Sequence, residues 1–482
     1  MDRRPLLVTI TLTVAIAAML GSVSVSATAA EPPSDNVVII HVDDLGWRDL
    51  GCMGSPVYET PYIDALAASG MRYTNAYAAG SLCTPSRACM LTGSQPSRHG
   101  VYTVVKNRGE KKQWKVIPEK NNQFLPEGYP TIGTVLTGAG IANGTVGKWH
   151  IGAVVPAHGF QEGIWGGYLG MPINYFAPFK LPFLPKDVPD GAYLPSFVRE
   201  AGVAFLQRHR NEQFFLYFST YLPHNEIRNE DGSTLTAPEA VVRKYERKIA
   251  AMKKAGKDLQ GHDNPVYAAM IEETDRSVGA IIDKLKELGL RKKTLVLFIS
   301  DNGGLDKYTS QLPLRGDKGT LYEGGVRVPM IASMPGRVQA GRISDEPVSG
   351  IDFYPTICSF MGLKPTDPDK VDGEDLTDLI FAGKPLGERN LFWNFPVYNH
   401  PRDLARCPRS AMRRGDWKIH HRYEDDGYEL YNLIEDIGES RDLAKTRPEI
   451  LAMMRRELGA CYERFGAVKK LVANPEYDAD SR

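Results

Sequence analysis

Four short segments of the chain are rich in apolar, β-branched or aromatic residues, with little alternation between apolar and polar positions. This is the pattern of β-strands that are covered on both faces. Before the last segment, apolar residues from Val278 to Leu288 recur at helical spacing, and Gly289 follows as a helix end. Strands that alternate with helices predict an α/β fold, with a large, mostly parallel sheet sandwiched by helices. The segments are NVVIIHV (36–42), the weaker GIANGTV (140–146), FFLYFST (214–220) and TLVLFIS (294–300).

The pattern changes between residues 385 and 400, where short strand-like pieces follow and an amphipathic helix lies near Pro448–Tyr462. We therefore predict an N-terminal domain over residues 31–385 and a smaller C-terminal α+β subdomain over residues 386–482. The stretch Tyr168–Pro195 is rich in proline and aromatic residues. It predicts a long loop over one edge of the large sheet.

The first thirty residues have the composition of an export signal. Arg3 and Arg4 precede an apolar run from about Leu6 to Leu20, and a stretch of small residues ends at Ala30. The apolar run is short for a membrane-spanning helix. We expect cleavage near Ala30, an exported protein that is periplasmic or secreted, and no membrane anchor after cleavage.

Charge excludes one class of partner. The chain has 58 Lys and Arg against 58 Asp and Glu and no long block of like charge, so we predict no nucleic-acid partner. Export favours disulfides among the six cysteines. If Cys83 is set aside for chemistry, however, the five that remain cannot all pair. These five are Cys52, Cys89, Cys358, Cys407 and Cys461.

Acidic residues follow two of the predicted strands. Asp43 and Asp44 come directly after NVVIIHV, and Asp301 and Asn302 come directly after TLVLFIS. The carboxyl ends of parallel strands meet at one edge of a sheet, where ligands bind. Three carboxylates and one amide oxygen gathered there predict a site for a hard divalent cation, Ca²⁺ or Mg²⁺.

Cationic and imidazole side chains fall at the same predicted edge. Lys148 and His150 follow the weaker strand, and His224 follows FFLYFST. Lys318 lies in a glycine-rich stretch, GDKGTLYEGG, ahead of the apolar run VRVPMIAS, and its amine could reach an anion. Each residue alone is a weak signal, so the prediction of a site depends on their convergence.

Cys83 stands at the predicted start of a helix, with Pro85 suited to the first turn. A thiol at a helix N-terminus is expected to have a lowered pKa. A plain cysteine nucleophile is nevertheless a poor match for a metal held by oxygen ligands, because thiolates prefer softer metals. The residues alone leave the chemistry of Cys83 open.

The chain resembles the formylglycine-dependent sulfatases of the arylsulfatase type, in the alkaline phosphatase superfamily. The resemblance begins at Cys83-Thr84-Pro85-Ser86-Arg87, which matches the signature Cys-x-Pro-Ser-Arg, and it extends over roughly residues 36–465. The other matching motifs follow in family order: DDLGW (43–47), LTG (91–93), GKWH (147–150), SDNGG (300–304) and GDKGTLYEGGVRVP (316–329). So many ordered motifs make the resemblance specific.

The resemblance implies a sulfatase mechanism. In that family a maturation enzyme oxidises the cysteine to Cα-formylglycine, an aldehyde that hydrates to a geminal diol. One hydroxyl of the modified Cys83 would attack the sulfur and expel the alcohol. The other would then lose its proton to His150, and collapse to the aldehyde would release sulfate. The metal, Ca²⁺ or else Mg²⁺, would be held by Asp43, Asp44, Asp301, Asn302 and the modified Cys83.

Physical reasoning is consistent with the remaining implied roles. Lys148 and Lys318 would offset charge on the sulfuryl oxygens, and His224 would protonate the leaving oxygen. Arg87, one helical turn after Cys83, would fix the diol and balance the acidic ligands. Asn225-Glu226-Ile227 departs from the family, which often has a further proline or aromatic residue there. This departure weakens the assignment of His224.

The expected substrate is a sulfate monoester, either a sulfated carbohydrate or an aryl sulfate. Residues 151–195 contain no motif for a particular sulfated group, so the sequence does not identify the sugar. Two alternatives use the same site. One is hydrolysis of phosphonate monoesters or phosphodiesters, and the other is binding of sulfated glycans without turnover.

Overall fold

The computed structural model describes residues 35–104, 111–179, 181–184, 186–227, 234–399 and 407–481. The predicted export signal at residues 1–30 lies outside these ranges. Among the helices of the described ranges, none is long and apolar enough to cross a membrane.

The strands, in chain order, are β1 (Asn36–Val42), β2 (Met71–Tyr73), β3 (Ala76–Tyr77), β4 (Val116–Ile117), β5 (Ala142–Gly147), β6 (Glu162–Ile164), β7 (Phe214–Ser219), β8 (Thr294–Ser300), β9 (Met330–Ser333), β10 (Arg342–Ser344), β11 (Val348–Ser349), β12 (Asn390–Phe395), β13 (Arg409–Arg414), β14 (Trp417–Arg422), β15 (Gly427–Asn432) and β16 (Val472–Ala473).

The α-helices are α1 (Pro61–Ala68), α2 (Cys83–Thr92), α3 (Pro96–His99), α4 (Ile132–Gly138), α5 (Leu194–Arg208), α6 (Glu239–Lys254), α7 (Pro265–Glu287), α8 (Glu323–Val326), α9 (Phe353–Phe360), α10 (Thr377–Ala382) and α11 (Pro448–Phe465).

The large sheet has eight strands in the order β10-β2-β9-β8-β1-β7-β5-β6. Its centre is parallel: β1 pairs in parallel with β7 and β8, and β5 pairs in parallel with β7 and β6. Only β9 runs antiparallel to its neighbours β8 and β2. The prediction of a mostly parallel α/β sheet is therefore confirmed.

The central strands are buried along their whole length, as their continuous apolar patterns require. Two hydrophobic clusters cover the opposite faces: Val38 and Ile40 of β1 belong to one cluster, and Val37 and Ile39 belong to the other. β1 and β8 have the predicted bounds, and β5 begins two residues later than predicted. The apolar run VRVPMIAS joins the large sheet only from Met330, after Pro329, which has no amide hydrogen to donate. Before Pro329, Arg327 forms a single antiparallel bridge with Tyr77.

A separate four-stranded antiparallel sheet, β12-β13-β14-β15, lies in the C-terminal part with α11 against it. Both elements are of the predicted kind. This sheet packs directly on the rest of the molecule: the Trp393 indole donates to the Ala78 carbonyl (2.9 Å), and Lys418 Nζ lies 2.8 Å from Glu323 Oε1. The predicted division at residue 385 stays a prediction.

The expectation that the cysteines pair is wrong for most of them. No disulfide joins Cys52, Cys83, Cys89, Cys358 or Cys461. Each of these except Cys52 is buried, and Cys358, for example, packs in the core on one face of the sheet. The hydrophobic core stabilises these segments without a cross-link.

Candidate active site

The four strands β8, β1, β7 and β5 are adjacent in the sheet and point the same way. Their carboxyl ends therefore deliver the residues that follow each strand to one place. Asp43 and Asp44 follow β1, Asp301 and Asn302 follow β8, and the segments after β5 and β7 supply three further residues: Lys148, His150 and His224.

Cys83 is the first residue of α2 and is buried beside the two aspartates. Its Sγ lies 3.5 Å from Asp43 Oδ1 and 3.8 Å from Asp44 Oδ1. The expectation of a lowered thiol pKa is wrong. Burial raises the pKa of Cys83, and the carboxylate of Asp301 adds to the effect against the opposing influence of Lys148 and Lys318. As a thiol, Cys83 is therefore a poor nucleophile.

Arg87 lies one helical turn after Cys83 and is fully buried. Its Nε and one terminal nitrogen donate to Asp301 Oδ2 at 3.0 and 2.8 Å. The other terminal nitrogen donates to the Tyr217 hydroxyl (3.1 Å) and to Ser219 Oγ (2.5 Å). Arg87 therefore links α2 to β7 and β8 and neutralises part of the acidic cluster.

Two lysines contact the first acidic pair. Lys148 Nζ lies 2.5 Å from Asp43 Oδ2, and Lys318 Nζ lies 2.7 Å from the Asp44 carboxylate. The backbone N–H of Lys318 also donates to the Gly304 carbonyl (3.0 Å), so its loop is fixed against the residues after β8. The structure thus brings both predicted lysines to the acidic pair, and their role toward an anion stays a prediction.

His224 faces the same cluster. Its Nε2 lies 3.5 Å from Asp44 Oδ2, while Nδ1 lies 2.7 Å from the carbonyl of Asn225. If Nδ1 carries the proton of that hydrogen bond, Nε2 is the atom left to exchange a proton at the site. Burial lowers the pKa of His224, and Lys318 adds to the effect.

Residues 225–227, where the sequence departs from the family pattern, help to hold His224 in place. Glu226 is buried and accepts a hydrogen bond from the backbone N–H of Tyr175 (2.7 Å). The Tyr175 hydroxyl in turn donates to the carbonyls of Tyr221 (2.7 Å) and His224 (2.8 Å). Glu226 and Tyr175 thus tie the histidine segment to the long loop before α5.

His150 lies two residues after Lys148 and has a positive φ of 63°, and its ring packs against Gly170 of the long loop. A Cβ at residue 170 would stand 2.0 Å from the ring, so only glycine leaves room. Nδ1 of His150 has no hydrogen-bond partner among the described residues. Burial, reinforced by Lys148 and Arg87, lowers the pKa of His150 well below its usual value. The imidazole is therefore neutral.

The pKa values of the three carboxylates, Asp43, Asp44 and Asp301, are shifted in different directions. Burial raises the pKa of Asp43 well above its usual value, although Lys148 opposes this. Burial also acts on Asp44 and Asp301, but Lys318 lowers the pKa of Asp44 and Arg87 lowers that of Asp301 below the usual value. Three acids buried this closely repel one another, and added positive charge would relieve the repulsion.

The donor set fits a hard divalent cation. Four residues, Asp43, Asp44, Cys83 and His224, offer ligand atoms within 4.8 Å of one another. Asn302 donates from Nδ2 to Asp44 Oδ1 (2.8 Å), and its buried Oδ1 has no hydrogen-bond partner in the described ranges. An acceptor oxygen left in this way beside carboxylates is suited to a cation. Asp301 and Asn302 are outside the group of four but within contact distance of Asp44.

Several residues that position this site were not predicted from the sequence. Tyr217 and Ser219 lie two residues apart on the same face of β7, and both accept hydrogen bonds from Arg87. His41 Nδ1 lies 2.7 Å from the Tyr217 hydroxyl. Polar residues spaced by two within an apolar strand were the available signal. Tyr175 and Glu226 had no comparable signal, since they lie in irregular segments.

Two family models match the chain. The sulfatase model matches residues 35–363, and the model for the C-terminal part of N-sulphoglucosamine sulphohydrolase matches residues 316–463. The first covers the large sheet with the candidate site. The second begins just before Lys318 and runs through the antiparallel sheet.

Relatives of known activity resemble most of the chain. N-acetylgalactosamine-6-sulfatase from Mus musculus is 32% identical over 76% of this chain and 70% of its own length. Arylsulfatase A from Homo sapiens is 29% identical over 93% of this chain and 87% of its own.

Solved structures share the fold. Ps i-CgsB in complex with k-i-k-neocarrahexaose has a TM-score of 0.73 and 27% identity, over 92% of this chain and 96% of that one. Phosphonate monoester hydrolase of Agrobacterium radiobacter has a TM-score of 0.62 and 19% identity, over 89% and 96% of the two chains. The second likeness shows the fold alone.

Proposed function

Because the chain belongs to the sulfatase family and is a sulfuric ester hydrolase, we propose that Cys83, as formylglycine, is its nucleophile and that its substrate is a sulfated carbohydrate. The observation that carries this proposal is the position of Cys83. Its Sγ lies 3.5 Å from Asp43, at an edge where two lysines and two histidines converge. A buried thiol with a raised pKa is a poor nucleophile there, whereas a diol at the same position would lie beside both aspartates.

Asp43, Asp44, Asp301, Asn302 and the modified Cys83 would hold the metal, with Ca²⁺ as our proposal and Mg²⁺ as the alternative. When bound, such an ion polarises oxygen atoms of the nucleophile and of the sulfuryl group. Arg87 fixes Asp301 and the first turn of α2, so it positions both a ligand and the nucleophile.

The chain's own residues account for the proton transfers. As the oxygen of one hydroxyl of the diol forms a bond to sulfur, its proton passes to the carboxylate of Asp43, which lies 3.5 Å from Cys83 Sγ. The bond from sulfur to the substrate oxygen breaks, and His224 in its protonated form gives that oxygen a proton.

Lys148 and Lys318 stabilise the charge on the other sulfuryl oxygens. His150 then removes the proton of the second hydroxyl. The bond between carbon and the sulfated oxygen breaks, which releases sulfate and restores the aldehyde.

The modification is tested by mass spectrometry of active protein that has been made together with a formylglycine-generating maturation enzyme. We expect the peptide with Cys83 to carry the aldehyde, while Cys89 in the same peptide stays a thiol. Specific activity should rise in proportion to the modified fraction. Full activity with an unmodified Cys83 would refute the proposed nucleophile.

The role of His224 is tested with leaving groups of different basicity. His224→Ala should lower kcat by about 10²- to 10⁴-fold for an alkyl sulfate, since the poor leaving group needs its proton. The loss should be much smaller for 4-nitrophenyl sulfate, whose leaving oxygen needs no proton. His209→Ala is the matched control, because it removes the same kind of side chain at the end of α5, which contributes no residue to the candidate site. Equal losses for both leaving groups would contradict a role as general acid.

Sulfated carbohydrates are proposed as substrates because of the relatives. One curated relative is an N-acetylgalactosamine-6-sulfatase, and one structural relative was solved with a neocarrahexaose. We further propose export, on the evidence of residues 1–30. A panel of defined sulfated monosaccharides and oligosaccharides, followed by release of sulfate, identifies the sugar and the position. Paired aryl sulfates and aryl phosphodiesters form the check, and a strong phosphodiester preference would contradict the proposed substrate.

A further inference from the structure

One segment of the long loop before α5, residues 165–175, contacts the residues around both candidate histidines. His150 follows β5 and His224 follows β7, so the two side chains come from separate strand ends. Catalytic groups must be held within about 0.5 Å of their productive geometry. Residues 165–175, here called the bridging segment, give the two histidines a common support.

The bridging segment supports His150 at the backbone and at the ring. The backbone N–H of His150 donates to the Gly167 carbonyl (3.0 Å). A Cβ on Gly166 would stand 2.3 Å from the Gly147 carbonyl oxygen, which shows how closely the segment approaches the end of β5. A Cβ on Gly170 would stand 2.0 to 2.5 Å from three atoms of the His150 ring. The position of the ring therefore depends on a glycine at residue 170.

The same segment supports the residues that carry His224. At its start, the Trp165 carbonyl accepts a hydrogen bond from the Tyr221 hydroxyl (2.9 Å). At its end, the Tyr175 hydroxyl lies 2.7 Å from the Tyr221 carbonyl and 2.8 Å from the His224 carbonyl. Tyr175 is fully buried, so water does not replace its hydroxyl at these carbonyls.

Tyr175 is itself held from two sides. Its backbone N–H donates to one carboxylate oxygen of the buried Glu226 (2.7 Å), and the Thr236 hydroxyl donates to the other oxygen. Its carbonyl accepts a hydrogen bond from the backbone N–H of Leu194 (2.8 Å), the first residue of α5. The support for His224 therefore extends from the loop to a regular helix.

We propose that Tyr175 and Gly170 are positioning residues, Tyr175 for His224 as the general acid and Gly170 for His150 as the base. Each acts through the histidine that it contacts. The inference rests on the proposed function, because it requires the two histidines to act in different steps. A defect at Tyr175 should slow departure of the substrate oxygen, whereas a defect at Gly170 should slow release of sulfate.

Tyr175→Phe removes one hydroxyl and leaves the His224 carbonyl without this donor. The variant should lower kcat/KM for an alkyl sulfate about 10- to 100-fold, because a small displacement of the acid matters where the leaving oxygen needs a proton. For 4-nitrophenyl sulfate the change should be less than about twofold. Both values are measured on one preparation, so their ratio does not depend on how much of the variant folds.

Tyr423→Phe is the matched control, because the buried Tyr423 hydroxyl also donates to a backbone carbonyl, that of Val468 (2.7 Å), in the C-terminal part. It should leave the ratio of the two values as in wild type. Equal losses for both sulfates in Tyr175→Phe, or the same change of ratio in the control, would overturn the role of Tyr175.

Gly170→Ala places a methyl group against the His150 ring and displaces it. We expect kcat for 4-nitrophenyl sulfate to fall about 10- to 100-fold while kcat/KM stays near the wild-type value, because only the second step is slowed. Rapid mixing should then show a burst of about one equivalent of 4-nitrophenol per formylglycine. Gly279→Ala in α7 is the matched control, since a Cβ there would also meet a ring, that of Tyr62 at 2.6 Å. A fall in kcat/KM as large as the fall in kcat would overturn the role of Gly170.

His224→Ala separates this inference from the proposed function. If it lowers activity on both sulfates equally, the assignment of the general acid is wrong and the role of Tyr175 is wrong with it. If it lowers activity mainly on the alkyl sulfate and Tyr175→Phe does not, the general acid stands and the positioning role is refuted. His150→Ala gives the same comparison for Gly170, with kcat against kcat/KM as the measurement.

Discussion

The molecule has two clusters of buried charge that differ in what they do. Their nearest members along the chain are Lys318 and Glu323. The catalytic cluster is formed at the strand ends by Asp43, Asp44, Asp301, Arg87, Lys148 and Lys318. The inter-sheet cluster lies where the antiparallel sheet packs on α8 and on the two-stranded sheet β11-β3. It is formed by Glu323, Glu439, Lys418, Arg327 and Arg413. Both contain buried carboxylates in direct contact with cations.

The carboxylates of the inter-sheet cluster have their partners in neighbouring protein groups. Lys418 Nζ lies 2.8 Å from Glu323 Oε1 and 3.3 Å from Glu439 Oε1, and the backbone N–H of Glu323 donates to Glu439 Oε2 (2.6 Å). The Tyr77 hydroxyl donates to Glu323 Oε2 (2.8 Å), and Arg327 lies 3.0 Å from the same oxygen. These contacts anchor α8, which follows the loop of Lys318.

Shifted pKa values do not distinguish the clusters. Burial raises the pKa of Glu439 to about 7, while Lys418 lowers that of Glu323 to about 2 despite its burial. Asp43 and Asp301 in the catalytic cluster diverge in the same way. The difference lies in position: only the catalytic cluster gathers residues that follow four parallel strands, and it includes an acceptor oxygen on Asn302 with no partner in the described residues. Perturbed titration alone therefore does not identify an active site.

The largest expected effect is on activity, from a change in the catalytic cluster. Asp301→Asn should lower kcat/KM on the order of 10³-fold, because it weakens both the metal site and the hold on Arg87. The free energy of unfolding should fall as well, because the variant leaves the buried guanidinium of Arg87 without its carboxylate. Sulfate release and urea denaturation measure the two quantities. A large loss of stability with activity retained would remove the distinction between the clusters.

The next effect is on stability, from the equivalent change in the inter-sheet cluster. Glu323→Gln leaves Lys418 and Arg327 without their shared carboxylate and should lower the free energy of unfolding by about 3–5 kcal/mol. Activity of the folded protein should fall less than tenfold, because Lys318 keeps its own backbone contact with Gly304. Glu239→Gln is the control, since it breaks an exposed pair with Arg243 and should leave the denaturation curve unchanged.

Much of the catalytic cluster could be predicted from the sequence, and the inter-sheet cluster could not. A continuous apolar strand followed by Asp-Asp or Asp-Asn is a local pattern, and parallel pairing then brings the strand ends together. Glu323 and Lys418 are separated by nearly a hundred residues and meet through the packing of two sheets. No periodicity in either segment encodes that contact.

The raised pKa of Cys83 also could not be predicted from the sequence. A helix N-terminus at Cys83 was predicted correctly, and by itself it lowers a thiol pKa. Burial and the carboxylate of Asp301 outweigh that effect, and both depend on the complete fold. Local patterns thus locate a group, while its titration follows from every element packed around it.

The smallest expected effect is a change in how stability depends on pH. The pKa of Glu439 is raised from its ordinary 4.5 to about 7, so the folded state binds this proton more tightly than the unfolded state does. Its contribution to stability is therefore present below about pH 4.5 and is lost as the pH rises through 7. Glu439→Gln resembles the protonated acid and does not titrate, so the variant should gain stability relative to wild type, by about 2–3 kcal/mol, between pH 5 and pH 8.

Urea denaturation of both proteins at a series of pH values measures this difference, and Glu435→Gln on the exposed surface nearby serves as the control. The carboxylate of Glu323 does not produce the same slope, because its pKa of about 2 places its loss of stability at acid pH. A difference between variant and wild type that stays constant from pH 5 to pH 8 would mean that Glu439 is ionised throughout. The inter-sheet cluster would then hold two full negative charges against Lys418, Arg327 and Arg413.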